Sequence, residues 1–154
     1  MTRINLIAFA GAMLVSVAGY GQTTTTRNIN LPGFGLAATE TARVSLTNLA
    51  ANATNGTAAA CNGSVQFVNA AGANIGTAST FSIAAGVTTS VSLPFGSSGA
   101  TGTRAQIRPV VAVTRVSNAQ TPCSLSIVVE SFDTSSGVTH VYHAEGDAVG
   151  GFGR

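Results

Sequence analysis

The chain has 154 residues, with seven arginines, no lysine and five acids, for a formal net charge of +2. Only 8% of residues are charged, 45% are hydrophobic, and there is no tryptophan. The length fits one domain, two at most. Charge this sparse argues against a charged disordered chain. So small a positive balance, without basic clusters, argues against a nucleic-acid surface. Two cysteines are too few for a four-cysteine zinc site.

Residues 1–21, MTRINLIAFAGAMLVSVAGYG, carry the marks of an export signal. Arg3 is the positive start. Leu6 to Val17 is an apolar stretch of about a dozen residues, short of the roughly 20 that a membrane-spanning helix needs. Small residues follow, and cleavage fits after Ala18 or, preferably, after Gly21. The competing reading, a permanent membrane anchor, is weakened by Asn5 and the glycines. Outside the cytosol two cysteines usually oxidise, so a Cys61–Cys123 disulfide is expected. Two free thiols, one of them nucleophilic, would need a nearby His and an activating setting. Neither cysteine has such a local signature.

Residues 22–35, QTTTTRNINLPGFG, show no core-forming pattern and read as a flexible leader. From residue 36 the chain alternates with period two, interrupted by Gly, Asn and Ser, as strands joined by turns do. Thr41–Leu49 places Ala42, Val44 and Leu46 on one face. The small polar residues at 50–60 form a loop. Ser64–Asn69, Ile75–Ile83 and Val87–Leu93 are the next strands, separated by Gly-containing turns, and 94–102 is a loop. Arg104–Arg115 places Ile107, Val111 and Val113 together, but Pro109 lacks the ladder N–H, which predicts an edge strand or a bulge there. Cys123–Asp133 places Leu125, Ile127 and Val129 on one face. Residues 133–137 turn the chain into a last strand, Val138–Tyr142. The remainder, 144–154, has too little apolar content to pack and is expected to be disordered. Seven or eight strands with no helical period predict an all-β, two-sheet antiparallel sandwich over 36–143.

Chemistry is sparse. His143, Glu145 and Asp147 are weak candidates for a metal site, since they share parity but enter a Gly-containing tail with nothing to fix them. His140 and His143 are an odd number apart, so a regular strand would turn them to opposite faces. Asp133 and His140 could meet across the last hairpin, but no G-x-S-x-G elbow accompanies them. Glu40 and Glu130 are the strand-associated glutamates, and surface charge explains both. The glycines form no phosphate loop. Arg104 and Arg108 share parity and are candidates for binding an anionic polymer; solubility and pairing with Glu130 are the plainer account. N-x-[ST] sequons stand at Asn52, Asn55 and Asn62. Thr-rich, uncharged edges remove a common guard against edge-to-edge pairing, and Thr23–Leu31 could add as a strand to a neighbour.

The segments GLAATETARVSLTN (35–48), CNGSVQFVNAAGANIGTASTFSIAAGVTTSVSL (61–93) and CSLSIVVESFDTSSGVTHVY (123–142) resemble small secreted immunoglobulin-like β-sandwich proteins of bacteria. The shared features are a Gly-Leu opening, a Cys before a strand ending in Val-Asn-x-x-Gly, and a second Cys opening a late strand that runs into Phe-Asp-x-x-x-Gly. The resemblance covers about two-thirds of the chain. It implies an immunoglobulin-like sandwich and brings no catalytic residues, because this fold hosts unrelated functions.

The sequence therefore predicts a secreted, non-enzymatic structural or binding module, extracellular or periplasmic. It needs no cofactor, metal or nucleic acid and keeps no membrane span after signal cleavage. The expected partner is a surface polymer, a protein, or another copy. A self-assembling subunit of an extracellular filament or surface layer is the alternative. A small hydrolase or metal-binding protein stands third.

Overall fold

A computed structural model describes residues 24–50, 60–116 and 123–145. Residues 1–21, read above as an export signal, the sequons at Asn52 and Asn55, and the residues beyond Glu145 lie outside the described residues. The described residues form nine strands in two antiparallel sheets, a β-sandwich with one disulfide.

The first sheet contains β1 (Thr24–Asn30), β2 (Phe34–Ala37), β4 (Cys61–Asn69), β5 (Asn74–Ile83) and β7 (Arg104–Val116). Its order is β1-β7-β4-β5, and β2 shares the outer edge of β7 with β1. The second sheet runs β6-β3-β8-β9, with β3 at Glu40–Asn48, β6 at Thr88–Pro94, β8 at Leu125–Asp133 and β9 at Thr139–Glu145.

Alternation along these strands builds the core. Val65, Val111 and Val113 from the first sheet meet Val44, Leu46, Leu125, Ile127 and Val129 from the second, and all are fully buried. Cys61 opens β4 and Cys123 precedes β8, so their bond ties one sheet to the other across 62 residues of chain.

The stretch expected to be a leader belongs to the sandwich. β1 pairs with β7 from Thr24↔Val116 to Asn30↔Val110, and β2 pairs from Phe34↔Ile107 to Ala37↔Arg104. Leu31, Phe34 and Leu36 are buried in the core. Strand pairing thus already includes Thr24, and the described residues form nine strands where seven or eight were expected. Pattern reading missed β1 because main-chain pairing holds it; of its side chains only Ile29 packs against the core.

Pro109 is buried in a central strand, neither at an edge nor in a bulge of its own strand. Its carbonyl accepts the Leu31 N–H at 3.1 Å. In an antiparallel pair a residue's N–H and C=O point the same way. The missing donor of Pro109 therefore faces the break between β1 and β2, where the ladder asks nothing of it.

Candidate functional site

The acids that chemistry would call on are held in structural bonds. Arg43 Nε donates to Glu130 Oε1 at 2.5 Å, and the two residues are directly opposite on the outer face of the second sheet. The Arg43 guanidinium also lies 5.0 Å from the Phe132 ring centroid, a cation–π contact. Glu40 Oε2 accepts the Ala37 N–H at 2.8 Å and closes the β2–β3 turn. Asp133 accepts from the hydroxyls of Ser135 and Thr39 and from the backbone N–H groups of Ser136 and Ser135. These donors, the Ser135 hydroxyl first and then Thr39, hold its carboxyl well below the usual carboxylate range. Asp133 thus serves the turn, and it does not meet His140.

The last strand contains the local surprise. Val129 is opposite His143 and Glu130 is opposite Val141, so Tyr142 is the extra residue of a β-bulge. Bulges re-aim side chains. Here the Tyr142 ring stacks on Phe34 of β2, centroids 4.3 Å apart at 18°, and its hydroxyl lies 3.1 Å from the buried Ser131 Oγ. The contact clasps an edge of one sheet to an edge of the other. The bulge also changes the histidine parity. His140 stands opposite Ser131 and His143 opposite Val129, positions of like parity in β8, whereas uniform alternation predicts opposite faces. Glu145 is opposite Ile127 at the end of β9, and Asp147 lies outside the described residues. Among the described residues no three His, Cys, Asp or Glu groups are placed to hold a metal ion.

Arg104 and Arg108 both project from the outer face of β7, yet neither pairs with Glu130, which belongs to the other sheet. Their surroundings differ. Arg108 Nη1 donates to Asn30 Oδ1 at 3.1 Å and borders a depression with Gly33, Asn69 and Gln106. Arg104 is exposed and has no acidic partner among the described residues. Its guanidinium packs against Gly35, where a Cβ would overlap Arg104 Nε in this position. Arg104, Gly35, Ala37, Glu40, His140 and Tyr142 together line an open cleft of about 290 Å³ where the β2–β7 edge faces β9. The sequence supplied Arg104. It did not supply His140 and Tyr142 as its neighbours, because their meeting depends on the bulge and on β2.

Comparison with protein-family models, with curated proteins and with solved structures finds no match.

No helix among the described residues is long and apolar enough to cross a membrane. The disulfide is compatible with an extracellular or periplasmic location.

Proposed function

We propose that the protein is a secreted, non-enzymatic binding module that holds an anionic group of a surface polymer in the Arg104 cleft. The observation that carries this reading is the Arg104 guanidinium, packed against Gly35 with no acidic partner among the described residues, beside His140 and Tyr142. A guanidinium in this setting offers a planar pair of donors to a carboxylate or phosphate. Tyr142 adds an aromatic edge, and His140 a ring N–H as a second donor. Glu40 is turned to the Ala37 N–H, which lowers its competition for the guanidinium.

The commitment of Glu130 and Asp133 to structural bonds supports binding over catalysis. The apolar stretch Leu6 to Val17 behind Arg3, with small residues after it, supports secretion. Two facing sheets with a bridge between them support an immunoglobulin-like reading, although the strand order differs from that of an antibody constant domain.

The test is a titration of the folded protein with polygalacturonate, a carboxylated polymer, against a neutral glucan. Binding only the acidic polymer, lost in Arg104→Ala and largely kept in Arg108→Ala, is the expected result. Equal binding of both polymers, or loss only in Arg108→Ala, contradicts the assignment.

A further inference from the structure

We propose that β1 is an exchangeable strand, docking on β7 of a second copy of this chain in place of that copy's own β1. The proposal does not depend on the Arg104 cleft. It rests on how the edge of β7 is filled.

Two separate strands occupy that edge. β2 is anchored by side chains, with Phe34 and Leu36 buried in the core. β1 is attached differently. Six of its seven residues are exposed, and Ile29 alone is partly buried. Its seven register positions on β7 are unbroken. Main-chain pairing therefore holds β1, and main-chain pairing is indifferent to which copy supplies the strand. Ile29 packs against the core and Asn30 Oδ1 accepts from Arg108, side-chain contacts that a second copy's β1 would reproduce.

The link between the strands permits the exchange. Leu31 is buried and its N–H is held by Pro109, so it fixes the start of the link. Pro32 and Gly33 follow, both exposed. Pro32 donates no hydrogen bond, and Gly33 can take backbone angles closed to other residues. The pair can redirect β1 without disturbing β2. The Cys61–Cys123 bridge lies outside the moving strand, so the sandwich body stays tied while β1 leaves.

The partner is a second copy because the vacated edge is already shown to accept residues 24–30 in one register. Reciprocal exchange closes a dimer; head-to-tail exchange gives an open chain. The remaining edge of β1 adds no obstacle beyond Arg27, since the strand has no Pro, Lys or acid.

The register supplies the test. Leu31 bonds Pro109, so by alternation Asn28 and Ala112 form a non-hydrogen-bonded pair, with Cα atoms about 4.5 Å apart, within disulfide reach. Two disulfide-intact variants of the chain, Asn28→Cys and Ala112→Cys, are unfolded together without reductant, refolded as a mixture and oxidised. Exchange predicts a 28–112 disulfide between two chains, identified by peptide mass. It also predicts that the light-scattering mass of the unmodified protein rises with concentration, and that the double variant N28C/A112C, locked within one chain, stays monomeric. A one-chain mass at every concentration with no interchain 28–112 link overturns the proposal. So does assembly that the lock leaves unchanged.

Discussion

Asn48 shows how much one side chain can do at a strand end. It is fully buried, its Nδ2 donates to the Ile83 carbonyl at 3.0 Å, and its Oδ1 accepts the Ala50 N–H at 3.0 Å. Its own backbone bonds Val87 and Gly86. One residue of β3 thereby joins the second sheet to the end of β5 in the first. Asn48→Ala leaves those groups short of partners and is expected to cost about 1–3 kcal/mol, read as a lower denaturant midpoint with an unchanged slope. Asp133 governs acid behaviour at the same scale. Its folded-state pKa lies below the unfolded value, so its contribution is complete above the ordinary carboxylate range, near pH 4, and is lost as pH falls toward the folded value. Stability of the wild type should therefore decline on acidification below about pH 4, more steeply than that of Asp133→Asn. Identical acid limbs in denaturant titrations would contradict the assignment. Neither role was legible in the sequence. An asparagine ending a strand and an aspartate opening a turn read as surface residues until the distant partners, Ile83 for Asn48 and Thr39 for Asp133, join the local ones.

At the scale of the element, the sequence was most informative where side chains alternate. β3, β7 and β8 bury the residues that their period-two pattern selects, Ala42, Val44 and Leu46 among them. It was least informative where the backbone acts alone. Thr24–Asn30 has one apolar side chain and forms a strand because β7 offers a free edge. The Tyr142 bulge is equally hidden, since one extra residue reverses parity without any Gly or Pro to mark it. These differences predict a hierarchy of opening. The β1 amides directed at β7, those of Arg27 and Ile29, should exchange with solvent well before those of Val44 and Leu46, because so little burial resists fraying of β1. Comparable protection in both groups would mean that β1 is integral to the cooperative unit and would weaken its exchange between copies.

At the scale of the whole molecule, two devices hold the sheets together beyond the shared core. The disulfide joins Cys61 of one sheet to Cys123 beside the other, and the Phe34–Tyr142 stack clasps β2 to β9. By loop-closure entropy, a bridge spanning 62 residues stabilises by about 4 kcal/mol. Cys61→Ser combined with Cys123→Ser should lose stability of that order, measured by denaturant unfolding; an unchanged midpoint would deny the bridge its role. The pairing was legible because only two cysteines exist. The cleft was legible only in part: Arg104 stood out, but β2 and the bulge that surround it did not. The most direct test of the proposed function is a nitrogen-15 NMR titration of the folded protein with polygalacturonate. The account predicts concentration-dependent shifts at Gly35, Ala37, Arg104, His140 and Tyr142, absent in Arg104→Ala. Shifts confined to other surfaces, or none at saturating polymer, would contradict it.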